Sequence, residues 1–410
     1  MPEDAGRAPA CNVLSGGEMG IFVRNAALAA TLGAALALAA GPLAAAEVKL
    51  PQTVVWTAYD VGTTGYNQAV GIGSVIKNKI GSNLRVLPGK NDVSRLAPLL
   101  DGKAQFSATG SDSVYSQEAL YTFGRKGWGP APIRLVIVNV SDAASTSLAT
   151  AKDAGIKTLY DLKGKRVAWV KGAPALNKAV EAYLAFGNLT WDDVVKVEVS
   201  GYGASVNAMI EGQLDALNGA TNSPPFLKVE SSPRGLHFPP VPHDDEEGWK
   251  RLNSVVPWFF KHKATLGATI PKEGQEMANT PYPVLIALEK QQEDLVYNMT
   301  KAMVDYFDEY KDASPGANGW AIERQVFDQV FLPYHEGAIR YYKEAGIWKP
   351  EYQEVHDRNL KRQEVIQAAW QQHEKTGPED ENAYERAWMK IRYDALTAAG
   401  LQPIMEKWEQ

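Results

Sequence analysis

Apolar and polar positions between residues 53 and 121 alternate in one unit that occurs three times. Residues 53–58 form an apolar run, 59–66 a glycine-rich turn, and 67–80 carry Val70, Ile72, Val75, Ile76 and Ile80 at helical spacing. The second unit is a strand over 84–87, a turn over 88–92 and a helix bearing Leu96, Leu99 and Leu100. The third is a strand over 105–109, a turn over 110–113 and a helix through Tyr121. Strands alternating with helices predict a parallel sheet, whose crossovers gather every strand-to-helix turn at one edge. These turns are rich in Gly, Ser, Thr and Asn, and the helix starts they expose attract anions through unsatisfied amides and the helix dipole.

Further along, 123–132 reads as a Gly/Pro loop and 133–140 as a strongly apolar strand, taken as the first crossing into a second lobe. Residues 141–154 read as a loop with a short helical turn. The α/β pattern restarts with a strand at 167–170, a turn at 171–174 with Pro174 at a first helical position, and a helix to Phe186. Strands at 194–199 and 214–217 follow, with a turn at 200–205 and a helix at 206–211 between them. Residues 224–258 are Pro-rich and irregular, and 264–271 and 282–288 read as strands returning to the first lobe. A long amphipathic helix is predicted over 286–310, and 335–346 and 351–410 are helical and charged, with Trp348, Trp370, Trp388 and Trp408 as packing anchors. The implied organisation is 1–46 leader, 47–135 first lobe, 136–265 second lobe, 266–312 return to the first lobe and 313–410 helical C-terminal extension.

Targeting changes the picture of the N-terminal part. Residues 1–18 show no periodicity and read as an over-extended start. From Met19 a secretory signal is expected: Arg24 supplies the positive region, 27–40 the Ala/Leu run, and Ala44, Ala45 and Ala46 the cleavage site before Glu47. Cys11, the single cysteine, falls in the removed part, so the exported chain would use neither disulfides nor thiolates. A net charge of −6 and 45% apolar composition fit a globular protein and give no sign of a nucleic-acid or anionic-membrane partner.

The inventory for catalysis is thin. No G-x-S-x-G elbow, phosphate loop, complete G-x-G-x-x-G or H-E-x-x-H occurs. All six histidines lie after residue 230, and His335-Glu336 lacks the second histidine of a zinc motif. His237 and His243, ahead of the acidic run 244–247, have no recognised metal-ligand spacing and read as a solvated loop. No catalytic role, metal or cofactor is therefore expected. The candidate site is the turn edge. Gly65 reads as a turn pivot or a ligand contact, Tyr66 as packing or a ring over the ligand, and Trp56 as core. Asn91 and Ser111 read as helix caps or ligand contacts, and Lys171 as exposed or as a partner for a carboxylate.

Several phrases together resemble one family. The Gly65-Tyr66 turn, the Ser111-Asp112 pair, the L-x-D-L-K-G-K-R-V phrase at 159–167, EGQLDA at 211–216 and HEGAIRYYKEAG at 335–346 are similar to TAXI-type solute-binding proteins of tripartite (TRAP) transporters. The resemblance implies a two-lobed periplasmic binding protein-like (type II) α/β fold that closes on a ligand without chemistry and delivers it to TRAP membrane permease subunits. Family ligands include glutamate and 2-oxoglutarate. It implies ligand contacts from Thr64, Gly65, Tyr66, Asn91 and Ser111 in the first lobe, and from Lys171, Thr221 and Asn222 in the second. The 171–174 turn departs from the family's Gly/Ser/Thr cluster by lacking hydroxyls and carrying a lysine. The expected ligand is a small organic acid, one carboxylate at the Gly65, Asn91 and Ser111 edge and a second anionic group near Lys171, with Tyr59, Tyr66 and Trp56 as flat walls. An ABC-type periplasmic sulfonate- or anion-binding protein is the alternative, and a secreted hydrolase the third reading.

Overall fold

The computed structural model describes residues 47–405; the leader readings and Trp408 lie outside them. The first lobe opens with β1 (Thr53–Ala58), α1 (Thr64–Ile80), β2 (Asn83–Pro88), α2 (Asp92–Leu100), β3 (Phe106–Thr109), α3 (Asp112–Gln117) and β4 (Ile133–Val138). The second holds β5 (Thr146–Ala151), β6 (Arg166–Val170), α4 (Pro174–Phe186), β7 (Val195–Val199), α5 (Tyr202–Ile210), β8 (Ala216–Ala220), α6 (Pro225–Glu230), β9 (Leu236–His237), α7 (Glu246–Val255), β10 (Phe260–Ala264) and β11 (Gln275–Asn279). The chain then returns through β12 (Val284–Leu288), followed by α8 (Glu293–Asp305), α9 (Phe307–Tyr310), α10 (Glu336–Glu344), α11 (Pro350–Thr376) and α12 (Glu381–Ala398).

Strand order in the first sheet is β2-β1-β3-β12-β4, and in the second β10-β11-β5-β8-β6-β7, with β9 beside β5. In each, a parallel trio is joined by a strand running the other way: β12 is antiparallel to β3 and β4, and β5 to β8 and β11. This is the expected two-lobed α/β architecture with a helical C-terminal part. The apolar runs become the sheet centres: Trp56, Phe106, Val136, Leu285 and Ile286 are fully buried in the first core. Burying each such side chain contributes about 1.5–3 kcal/mol. Helix ends follow local chemistry. Asn91 and Ser94 form a reciprocal capping box on α2, Pro174 opens α4, and Gly81 closes α1 in the left-handed conformation at φ 73°.

Several elements differ from expectation. Residues 146–151, read as loop, are β5, the strand that joins the second sheet's two halves. Its Thr-Ser-Leu-Ala-Thr-Ala sequence is too small and polar to announce a strand, and pairing on both sides supplies what propensity does not. The third helix stops at Gln117, because Ala119 and Tyr121 adopt left-handed φ values of 52° and 56°. Residues 264–271 do not return to the first sheet; they are the end of β10 and a loop within the second lobe. The Pro-rich stretch contains α6 and α7, whose start is capped by Asp245 of the acidic run. The long helix over 286–310 is instead the end of β12 followed by α8 and α9.

Strand β4 belongs to the first sheet, so the chain crosses between lobes just after it and comes back just before β12. The two crossings are tied to each other: Asn139 N–H donates to the Pro283 carbonyl and Tyr282 N–H to the Asn139 carbonyl, both at 2.8 Å. Behind them, Val140 N–H donates to Gly319 O at 3.0 Å.

The C-terminal helices are fixed to the first lobe by a buried ion cluster. Glu118, fully buried just after α3, receives Arg362 of α11 and Arg392 of α12, and Trp388 Nε1 donates to the Glu118 carbonyl at 3.2 Å. Trp370, Trp388 and Tyr384 form their own apolar cluster with Ile366 and Leu396, while Trp348 packs among Tyr334, Tyr342 and Tyr352. Among the described residues no helix is long and apolar enough to cross a membrane, and no group of three His, Cys, Asp or Glu could hold a metal ion. His237 and His243 approach backbone carbonyls instead, Lys157 O at 3.4 Å and Met277 O at 3.1 Å.

Candidate ligand-binding site

Because each strand-to-helix turn sits at the same sheet edge, the turns after β1, β2 and β3 face those after β6, β7 and β8. A cavity of about 120 Å³ lies between them. The first lobe lines it with Thr64, Asn91, Arg95 and Ser111, the second with Ala175, Tyr202, Asn218 and Asn222, and the crossings with Asn139 and Tyr282.

Its chemical centre is Arg95 on α2, 3% exposed. Arg95 Nη2 donates to Asp92 Oδ1 and to Asp112 Oδ2, each at 2.8 Å, and Nε to Thr109 Oγ1 at 3.2 Å. The guanidinium lies 4.1 Å from the centre of the Tyr59 ring, a cation–π contact. Asp112 also accepts from Gly110 N at 2.8 Å and from the Thr109 hydroxyl. Residues 92 and 95 lie one turn apart on α2 and therefore share a face, while Asp112 reaches them from the start of α3. Nη1 of Arg95 makes no hydrogen bond among the described residues and is the guanidinium's remaining donor.

Burial pushes the Asp92 carboxyl up to about 7; the neighbouring Asp112 charge adds to the rise, and Arg95 opposes it. Burial alone would lower the Arg95 pKa, but Asp112, Tyr59 and Asp92 more than reverse that, so it stays a cation. The Tyr59 hydroxyl is raised by burial and has no hydrogen-bond partner among the described residues; neither has Asn139 Oδ1. Both line the cavity. The ionisable lining is three aspartates, Asp60, Asp92 and Asp112, against Lys90 and Arg95. The site is thus more acidic than a set of neutral donors, and Arg95 is its buried cation.

Of the residues the sequence singled out, Thr64, Asn91, Ser111 and Asn222 come together on the cavity wall. Thr64 Oγ1 donates to Asn222 O at 3.2 Å, which places the two sides of the cleft in contact. Gly65, Tyr66, Lys171 and Thr221 do not line it. Gly65 is required by packing: a Cβ there would stand 2.4 Å from the Tyr59 ring. Tyr66 packs against the first core. Thr221 is internal to the second lobe, its hydroxyl donating to Leu266 O at 2.7 Å and accepting from Ser145 N at 3.1 Å. Lys171 turns outward to Glu198 at 2.7 Å, with 63% of its side chain exposed, and Trp56 is wholly core. Sequence reading missed Arg95, Asp92 and Tyr202. The i, i+3 acid–base spacing of Asp92 and Arg95, beside the named Ser111-Asp112 pair, was the available signal.

Among solved structures, the chain is similar to the periplasmic aliphatic sulphonate-binding protein of Escherichia coli at 12% identity, covering 88% of this chain and 93% of that one, with a TM-score of 0.38. An amino acid ABC transporter substrate-binding protein of Streptococcus pneumoniae bound to L-arginine matches at 14% identity, over 65% and 94%, with a TM-score of 0.41. A glutathione-bound ABC transporter periplasmic binding protein of Brucella ovis matches at 10%, over 63% and 69%, with a TM-score of 0.40. Each score falls below one half, which leaves the ligand of this chain open. Residues 57–346, from the first strand to the end of the HEGAIRYYKEAG phrase and so enclosing both lobes and every residue of the cavity, match the NMT1-like family, and the chain belongs to it.

Proposed function

We propose that the chain is a periplasmic solute-binding protein that closes its two lobes on a small carboxylate-bearing solute and delivers it to a membrane permease of the TRAP type. The observation that carries this reading is the interlobe cavity lined by the buried Arg95 guanidinium, whose Nη2 is taken by Asp92 and Asp112 and whose Nη1 is left for a solute. A carboxylate there gains a charge-assisted hydrogen bond, about 1.5–3 kcal/mol. Ser111, Asn91 and the two unpartnered groups, Tyr59 OH and Asn139 Oδ1, add neutral polar contacts, and the Asp92 and Asp112 carboxylates favour a solute that does not carry several negative charges. The volume suits a compact solute. The motifs shared with TAXI-type proteins support a TRAP permease as recipient, and the 19–46 signal pattern supports export.

The test is a thermal-shift and calorimetric panel of monocarboxylates, dicarboxylates, 2-oxo acids and amino acids on the exported protein. A solute at 100 times its Kd stabilises the fold by about 2.7 kcal/mol, a shift of a few degrees. At least one carboxylate should bind, and Arg95→Lys should weaken it by roughly tenfold or more. Binding confined to neutral sugars would overturn the carboxylate reading, and turnover of the bound acid would overturn the transport reading.

A further inference from the structure

The starts of the second-lobe helices α4 and α5 already hold groups of the chain's own first lobe. Ala175 N–H, in the first turn of α4, donates to Asp92 Oδ2 at 2.8 Å. At the start of α5, Tyr202 N–H donates to Lys90 O at 3.1 Å and Gly203 N–H to Asp60 Oδ2 at 3.3 Å. Bonds run the other way too: Val93 N–H donates to Gly172 O at 3.1 Å and Asn91 Nδ2 to Lys171 O at 3.0 Å. Trp258, from the segment between α7 and β10, donates its Nε1–H to Ser111 Oγ at 3.0 Å. Its ring lies 5.8 Å from Tyr115 and 5.4 Å from Phe331, and it packs against the cores of both lobes. Phe331 is itself anchored, its carbonyl accepting from Gln117 Nε2 at 3.0 Å.

Apart from the Gln117 bond that anchors Phe331, each of these contacts is made directly between one lobe and the other. Separating the lobes would break all of them together and would bring the Asp92 carboxylate, 2% exposed here, into water. We propose that Asp92 seated on the start of α4 and Trp258 seated on α3 form a clasp that holds the cleft closed without solute. Solute then enters only during transient openings, so the clasp slows its association in proportion to the time the cleft is shut. The inference rests on the two-lobe closure read above, but not on the identity of the solute.

The test uses solute-free full-length protein in a Cys11→Ser background, spin-labelled at Lys77→Cys on α1 and Lys228→Cys on α6, both exposed. Pulsed electron–electron distance measurements should place most molecules at the separation of the closed structure. Trp258→Ala and Asp92→Ala should each move at least a third of the population to a longer separation. Ala175→Pro deletes the donor from the second-lobe side and leaves the Arg95–Asp112 pair intact; it should open the cleft equally, which guards against misfolding of the Asp92 variant. A solute-free protein dominated by the long separation would overturn the clasp, as would Trp258→Ala and Ala175→Pro variants matching the parent. A carboxylate panel without a hit would sink the proposed ligand class and leave these distances unaffected.

Discussion

At the scale of single residues, two buried carboxylates set opposite pH behaviour. Asp92 is held up to about 7 by burial and then by Asp112, against Arg95; Tyr59, Tyr115 and the α4 amide also face it. An unfolded Asp titrates near about 3.9, so between about pH 4 and 7 the folded chain holds a proton that the unfolded chain has released. Stability from this group is therefore lost as pH rises through that window. Urea unfolding from pH 5 to 8 should show the decline, and Asp92→Asn should flatten it; an equal slope in the variant would refute the assignment. Asp215 behaves in reverse. Burial would raise it, but hydrogen bonds from Arg166 and Arg234 outweigh that and hold it at about 2, so its contribution is lost as pH falls from about 4 towards 2. Glu118 supplies a third expectation. Its replacement by Ala leaves the Arg362 and Arg392 guanidiniums buried without their counter-charge, a defect of about 3–5 kcal/mol. Chemical denaturation measures it, and a loss below about 1 kcal/mol would show that water compensates the pair.

Among the elements, what could be read from sequence was what local chemistry dictates. The apolar runs of β1, β3 and β6, the capped start of α2 and the Pro174 start of α4 all carry their own signals. Strand β5 does not, since its identity lies in its partners β8, β9 and β11. The early end of α3 is likewise a tertiary matter: the left-handed turn at Ala119 lets the chain leave the helix where Glu118 must meet α11 and α12. The site follows the same division. Thr64, Asn91, Ser111 and Asn222 reach the candidate cavity because their turns lie at the sheet edge, which the alternating pattern implies. Arg95 was not legible, because its role depends on Asp112, seventeen positions away. Of its two readings Lys171 takes the exposed one, not the contact that the resemblance implied: the parallel pairing of β6 with β7 sets Val170 beside Val199, and the following lysine turns outward to Glu198. Lys171→Ala should therefore change solute affinity less than about twofold, as expected of an exposed pair, and a tenfold loss by calorimetry would restore it to the site.

For the whole molecule, the helical C-terminal part and the first lobe make one body. Besides Glu118, Gln363 Nε2 donates to Ile133 O at 2.9 Å and to Gln117 Oε1 at 2.5 Å. Removing 349–410 would uncover the Ala119 face and strip Glu118 of both arginines. The shortened chain should be insoluble or melt well below the parent; a soluble, cooperatively folding product would show that the first lobe is self-sufficient. In the proposed closure, the smaller second lobe would rotate against this heavier partner. The paired crossings constrain that rotation. Two strands laced by Asn139, Tyr282 and Pro283 form a ribbon that bends and twists but does not lengthen, and Gly319 braces it from behind. A lobe hung on such a ribbon can turn about it but cannot slide away from it. Under the proposed function, solute would come and go on the side away from the ribbon, and the receiving permease would meet the molecule there.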